Sequence, residues 1–373
     1  MAFLQRMRSA VRPFATNARC ITGPRDTVQK AVFISQSNDV YTNLALEEWL
    51  NQNMDCSNLH VMLYYKNDPC VVLGKNGNPW LDVNTSGVAL ARRQTEGGIQ
   101  YHDQGVMNLT FFGQDVPQTY NLSLLSRAMF RKYGVSVEHN GENLSFYDKQ
   151  VSESGSIVEV EHARNSYQTC SLFVDVDKKN SSYSLGKDKI LSRRNIMNLS
   201  EIAPLATTDG LLSAIGWEFM RTPVGTLQDG GEAFARKQRG FQMINPTDDW
   251  FPGLKEIRDR LVQWDWRFGS TPKFSIFRTF QVPSPLLTNP SESNELRVKL
   301  DVEHGRLADI SLVVPPGLLT SGYTGEAQII TDIRGQQFSA ETLKKIEHFL
   351  GLEKCHNERE KFVTECVKKA MVI

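Results

Sequence analysis

Ala91-Arg-Arg-Gln-Thr-Glu-Gly-Gly-Ile-Gln-Tyr-His-Asp-Gln-Gly105 is the stretch of this chain densest in chemistry. Between Arg92 and Asp103 it holds two arginines, a glycine pair and a Tyr-His-Asp triplet. Glycines let backbone amides approach a ligand or take positive φ, and arginine offers a forked donor to phosphate or carboxylate. The pattern suits a turn built around an anion; it also suits a tight hairpin whose charges are satisfied at the surface. Its spacing is neither that of a P-loop nor that of a GxGxxG dinucleotide loop. His102 and Asp103 make a poor catalytic pair, because adjacent residues on a strand point to opposite faces.

Outward from this turn, strands and helices interleave. Upstream, Leu59-His-Val-Met-Leu-Tyr-Tyr65 and Cys70-Val-Val-Leu73 read as strands, and the Lys-Asn-Asp-Pro between them has hairpin or loop chemistry. Ser37-Asn-Asp39 offers N-caps for a helix with an apolar stripe of Val40, Leu44 and the Leu46/Trp49/Leu50 cluster. Downstream come a strand at Asn108–Phe112, a helix over Leu124–Tyr133, and a strand pair around Gln150 and Cys170–Val174. The polar stretch 175–190 reads as an exposed loop. Such an order predicts an α+β fold with a largely antiparallel sheet rather than a doubly wound parallel one. The composition changes over 244–275. Beyond it Leu296-Arg-Val-Lys-Leu-Asp-Val302 alternates, turns at His304-Gly305 and returns through Leu307–Val314 as a hairpin. Ser339 can cap a helix carrying Leu343, Ile346 and Leu350, and a last helix holds Phe362, Cys366, Val367 and Ala370. The expected organisation is a catalytic domain over 26–250 and a small α+β accessory domain over 255–373.

The charges balance, with 42 Lys+Arg against 42 Asp+Glu in 373 residues, which argues against a basic nucleic-acid binder. No apolar stretch approaches the roughly 20 residues of a membrane span. The balance hides an asymmetry: Arg6, Arg8, Arg12, Arg19 and Arg25 all precede the first acid, Asp26. An arginine-rich, hydroxyl-bearing, acid-free segment without a continuous apolar core has the composition of a mitochondrial presequence, here residues 1–25. The six cysteines form no CxxC and no zinc-ligand spacing with histidine, so no metal site is expected.

Several motifs recur in a familiar order: Ser37-Asn-Asp-Val-Tyr, Asn43-Leu-Ala-Leu-Glu-Glu-Trp, Gly74-Lys-Asn-Gly-Asn-Pro-Trp80, Arg92-Arg with Gly97-Gly and Tyr101-His-Asp, and Asn108-Leu-Thr-Phe-Phe. Together they resemble the mitochondrial lipoyltransferases of the lipoate–protein ligase family, which shares its fold with biotin protein ligases. Ile244-Asn-Pro-Thr-Asp, Phe251-Pro-Gly and the Trp264–Ser275 stretch resemble the same family's C-terminal part. The resemblance implies transfer of a lipoyl group from lipoyl-AMP, or from a lipoylated carrier, to a lysine ε-amine. The implied acceptors are lipoyl domains of 2-oxoacid dehydrogenase complexes and the glycine cleavage H protein, and the implied setting is a monomer in the mitochondrial matrix. Carried onto this chain, the residues that bind lipoyl-AMP are Arg92, Gly97, Gly98, Tyr101, His102, Asn108 and Ser171. His102 would either donate within the pocket or hold the turn.

The chain departs from the family pattern in that very region. Glu96 stands for the first of three glycines, Gln100 for a valine, Val106 for an asparagine and Gly77 for a glutamine. The family carries Lys-Ile/Val-Ser-Gly-Ser/Thr-Ala, whose lysine contacts the adenylate. Here the segment is Lys149-Gln-Val-Ser152-Glu-Ser-Gly155-Ser156, and aligning Ser154-Gly155-Ser156 puts Ser152 at the lysine position. Lys149, three residues upstream, would need a bulge to face the site and is the candidate substitute, with Arg92 or Arg164 as other sources of charge. Loss of one preorganised donor typically costs about 10²–10³ in rate. A glutamate ~4 Å from a phosphate would repel it by roughly 4 kcal/mol at an effective dielectric of ~20. The expected activity is therefore lipoyl transfer; the alternative is a catalytically retired paralogue that binds partners in lipoylation.

Overall fold

A computed structural model of the chain describes residues 28–83, 87–156, 167–180, 195–288, 294–318, 324–328, 334–339, 342 and 357–371. The presequence, Arg164 and the helix expected after Ser339 lie outside the described residues. The chain forms two compact units: one from residues up to Gly77 and from Asp82 to Gln263, the other from Asn78–Leu81 and from Trp264 onward.

The first unit begins with β1 (Gln29–Ser35), α1 (Val40–Asn53), β2 (Leu59–Tyr65), β3 (Cys70–Leu73), β4 (Ala89–Arg92), β5 (Gln100–His102) and β6 (Val106–Phe112). It continues with α2 (Gln118–Tyr133), β7 (Ser152–Ser156), β8 (Tyr167–Phe173), α3 (Thr208–Arg221), β9 (Gly240–Ile244) and α4 (Leu254–Val262). Its main sheet has six strands in the order β7-β8-β6-β2-β1-β9. The first three pairings are antiparallel, and β2-β1 and β1-β9 are parallel. A second sheet orders β4-β3-β5. Lys66–Pro69 is therefore a crossing between sheets and makes no hairpin, since β2 pairs with β1 and β6 while β3 pairs with β4 and β5.

Strand alternation sorts the main sheet into two faces. Met62, Tyr64, Met107, Leu109, Cys170 and Leu172 join Leu122, Leu125, Met129, Leu211, Ile215 and Phe219 of α2 and α3 in the large core. At roughly 25 cal/mol per Å² of apolar area removed from water, this layer is the main stabiliser of the unit. The opposite face carries Tyr65, Asn108, Thr110, Thr169 and Ser171, and α1 lies against it. Asp39 caps α1 by accepting from the Thr42 amide at 3.0 Å. Helix α4 belongs with this unit: Arg258 meets Asp39 at 2.9 Å, Arg260 pairs with Glu48, and Trp49 Nε1 donates to Pro252 O at 3.0 Å.

The second unit is a four-stranded antiparallel sheet of β10 (Phe274–Gln281), β11 (Glu295–Glu303), β12 (Arg306–Val314) and β13 (Gly325–Gln328). The hairpin expected from the alternation at 296–314 is present, and His304 and Gly305 both take positive φ, at 49° and 67°. A two-residue loop of that hand matches the strand twist. Leu296, Val298, Leu300 and Val302 pack with Cys366, Val367 and Ala370 of α5 (Glu358–Met371). Among the described residues no helix is long and apolar enough to cross a membrane.

Candidate active site

The face of the main sheet beneath α1 holds polar side chains where an ordinary core would hold apolar ones. Glu47 on α1 is 2% exposed. Its Oε1 accepts from Tyr65 Oη at 3.0 Å and from Thr110 Oγ1. Burial pushes its carboxyl up to about 7, against the pull of the Thr110 and Tyr65 hydrogen bonds and the Arg93 charge. Beside it run two rungs of the sheet. In one, Tyr65 stands opposite Asn108, Asn108 opposite Ser171, and Ser171 opposite Glu153. In the next, Thr110 stands opposite Thr169, and Thr169 opposite Gly155.

Asn108 is oriented by its neighbour. Ser171 Oγ donates to Asn108 Oδ1 at 2.8 Å, which fixes the carboxamide with its NH2 on the other side. That Nδ2 is buried and has no hydrogen-bond partner among the described residues. A buried orphan donor costs roughly 1–3 kcal/mol, so a polar ligand atom is its natural partner. Arg93 Nε and Thr95 Oγ1 are also buried without a partner.

The glycine turn closes over this face. Lys75 N donates to Thr95 O at 2.9 Å and Gly74 N to Gly98 O at 3.2 Å, which ties the end of β3 to the loop after β4. Gly97 has φ +117°, and a Cβ there would lie 2.4 Å from Arg93 Nη2 and 3.0 Å from Ser154 O. The turn thus needs glycine at 97 both for backbone hand and for its seat on β7. Glu96 is exposed and is not among the residues with positive φ, so it carries no strain of that kind.

The residues expected at the site divide into two groups. Asn108, Ser171, Gly97 and Gly98 come together as described. Arg92 is fully buried, but its Nη1 donates to Lys75 O at 2.8 Å, Gly77 O at 2.9 Å and Gly74 O at 3.3 Å. Its guanidinium therefore moulds the 74–77 turn, and burial lowers its pKa to about 10. Tyr101 is buried on β5 opposite Val71, and burial raises its hydroxyl to about 12. His102 is clasped on both ring nitrogens, Nδ1 by Asn67 Nδ2 at 3.0 Å and Nε2 by Gln100 Oε1 at 2.8 Å. With Asn67 donating, Nε2 carries the proton and the ring is neutral. Asn67 Oδ1 in turn accepts from Asn43 Nδ2 at 2.9 Å, so the Tyr-His-Asp motif is locked to α1.

Lys149 is exposed on Lys149–Gln150, a short strand in a separate three-stranded sheet with Leu144–Phe146 and Glu138–His139. Ser152 is fully buried on the core side, where its Oγ accepts from Leu144 N at 2.8 Å. One residue on, Glu153 faces the site, and a Cβ on Gly98 would lie 2.4 Å from its Oε1. A single-residue step flips the face of a strand, which makes Glu153 the charged group of β7 at the turn.

Sequence reading missed Glu47, Tyr65 and Glu153. Two acids inside the apolar stripe Leu44–Leu50 were the only available signal for Glu47, and the strand break at Val151 hid the phase of Glu153. Chemically, the site offers amide donors to a carbonyl and carboxylates to an amine. Among the described residues no group of His, Cys, Asp and Glu is placed to hold a metal ion.

Residues 39–215 match the lipoyl protein ligase A/B catalytic domain. Over 311 residues the chain is 30% identical to lipoyl amidotransferase LIPT1, mitochondrial, of Homo sapiens, with 79% of each protein covered. Over 261 residues it is 29% identical to lipoate-protein ligase A of Bdellovibrio bacteriovorus, covering 65% of this chain and 73% of that one. Its fold is similar to that of P. falciparum LipL1 in complex with lipoate, with a TM-score of 0.55, 19% identity, and 92% and 99% of the two chains covered. It is also similar to lipoate-protein ligase A bound with ATP, with a TM-score of 0.51, 16% identity, and 64% and 98% covered.

Proposed function

The chain belongs to the lipoate–protein ligase family, and from that premise we propose that it transfers a lipoyl group to the ε-amine of a lysine on a lipoyl domain, in the mitochondrial matrix. The acceptors are lipoyl domains of 2-oxoacid dehydrogenase subunits or the glycine cleavage H protein. The donor is lipoyl-AMP or a lipoyl-lysine amide on a carrier protein; the name of the human relative, an amidotransferase, supports the second.

The observation that carries this reading is the orphan Nδ2 of Asn108, buried and oriented by Ser171. A fixed donor on a water-poor face is suited to an acyl carbonyl, where charge develops as an amine adds to it. Gly97 and Gly98 would let the turn close on the acyl group, while Glu47, Tyr65 and Thr110 form the wall behind Asn108.

A second reading, a retired paralogue that only docks lipoyl domains, is supported by Arg92 and Arg93, whose guanidiniums are turned onto backbone carbonyls. Intact-mass measurement of an apo lipoyl domain, incubated with the protein and each donor in turn, separates the two readings. Addition of one lipoyl group to one lysine supports the transferase. Binding of the acceptor without any mass change from either donor supports the docking protein.

A further inference from the structure

One carboxyl on the site face lacks the partners that a buried carboxylate needs. Glu47 is 2% exposed, and both of its hydrogen bonds fall on Oε1, from Tyr65 Oη at 3.0 Å and from Thr110 Oγ1. Each hydroxyl has a single hydrogen and commits it there, so both lone pairs of Oε1 are filled. Among the described residues Oε2 accepts no hydrogen bond and no ion pair reaches the carboxyl. Arg93, the cation whose charge it feels, turns Nη2 to Glu96 O at 3.2 Å and Gly98 O at 3.4 Å. The other ionisable groups around it are Tyr65 of β2 and Tyr167 of β8, whose hydroxyls burial holds well above the usual range, and Glu48, which pairs with Arg260 of α4. Lys30 and His60 belong to the other face of the sheet, against Phe219 of α3. The pattern around Glu47 is that of a neutral carboxylic acid with its proton on Oε2, because burying a charge without a cation or further donors is costly.

Its position gives that neutrality a consequence. Thr110 lies two residues from Asn108 on β6, roughly 7 Å along the strand, and Tyr65 stands opposite Asn108 on β2. Asn108 Nδ2 is the orphan donor that meets the acyl oxygen in the transfer proposed above. As an amine adds to the acyl carbon, that oxygen gains negative charge. We infer that Glu47 sets the electrostatics of this step: as the neutral acid it lets the charge develop at Asn108, and once ionised it opposes the charge and slows transfer. This rests on the lipoyl-transfer reading and adds a residue to which the resemblance gives no role. Two like charges roughly 7 Å apart at an effective dielectric of ~20 correspond to a rate factor of roughly 50. The event required is loss of the Oε2 proton to solvent, and it is reversible. Tyr65 and Thr110 keep their bonds to Oε1 in either form, so the effect comes from charge and leaves the wall in place.

The pH profile of single-turnover lipoyl transfer to an apo lipoyl domain, by the wild type and Glu47→Gln between pH 6 and pH 9, tests this. Deprotonation of the acceptor lysine speeds both proteins alike, so the quantity to read is the ratio of variant rate to wild-type rate. Burial pushes the Glu47 carboxyl up to about 7, so the neutral fraction of the wild type falls above that pH while glutamine stays neutral. The ratio is expected to rise about 10-fold from pH 6 to pH 8 and to level off at roughly 50 times its starting value. A ratio that is constant or falls overturns the inference and leaves the lipoyl-transfer reading in place. A wild type that transfers at no pH overturns that reading and the inference with it. Circular dichroism at both ends of the range checks that each protein is folded. A second variant probes the same carboxyl without replacing it: Tyr65→Phe removes a hydrogen bond that favours the ionised form, so its rate relative to the wild type should also rise with pH. A relative rate that falls or stays level would overturn the inference as well.

Discussion

Replacing Glu47 by glutamine isolates the cost of the buried carboxylate beneath the site. Both hydrogen bonds from Tyr65 and Thr110 fall on the single atom Oε1, so the amide oxygen of glutamine can accept them both and the shape is conserved. What the substitution removes is the ionisation. The folded pKa of about 7 lies above the ordinary carboxyl value of 4.5 because burial disfavours the charged form. A raised folded pKa means that the native state holds a proton the unfolded chain has already released. Stability from this group is therefore fully present below about 4.5 and is lost as pH rises through about 7. At about 1.4 kcal/mol per pKa unit the full loss is about 3 kcal/mol, of which roughly 2–3 falls between about pH 5 and pH 8. Lys30 titrates in the same range with the opposite sign, since burial lowers its ammonium to about 7 and stability from it grows above that value. The quantity to read is therefore the difference between variant and wild type. Urea unfolding at the two pH values should show Glu47→Gln gaining about 2–3 kcal/mol on the wild type from the lower to the higher. Parallel profiles would refute the placement of an ionisable carboxyl in a dry site.

Gly97→Ala should destabilise the protein by about 2 kcal/mol or more and abolish transfer, because φ is +117° and the new Cβ lands 2.4 Å from Arg93 Nη2. A thermal midpoint equal to the wild type would contradict it. Arg92→Lys should cost about 1–3 kcal/mol in urea unfolding, since an ammonium cannot reach the 74–77 carbonyls that the guanidinium holds together. A loss of donor affinity with unchanged stability would instead make Arg92 a ligand contact. Lys149→Ala, an exposed change on a small separate sheet, should leave stability within about 0.5 kcal/mol and the transfer rate unaltered. A rate loss of on the order of 10² would bring Lys149 back to the chemistry.

Much of the architecture is legible from local pattern. The cap at Asp39, the alternation from Leu296 to Val314 and the turn at His304-Gly305 are set by rules that act over a few residues, and the chain obeys them. The site is legible only where it, too, is local. Gly97 takes the backbone hand that its place in a Gly-Gly pair suggests, and Asn108 and Ser171 sit opposite each other. Other residues depend on tertiary context. Arg92 looks like an anion donor in the linear motif, yet three carbonyls of the preceding turn claim it. The phase of β7 depends on the strand break at Val151, and a shift of one residue there exchanges buried Ser152 for site-facing Glu153. Cys70–Leu73 follows β2 closely in sequence but pairs in another sheet, because β1 and β6 already occupy both edges of β2.

In the proposed transfer, Asn108 presents a fixed amide donor to the lipoyl carbonyl. Single-turnover lipoyl transfer to an apo lipoyl domain by the wild type and Asn108→Ala tests it most directly. The expected rate is lower by about 10²–10³ in the variant, with acceptor binding and thermal midpoint close to those of the wild type. An unchanged rate, or a loss explained entirely by unfolding, would contradict it.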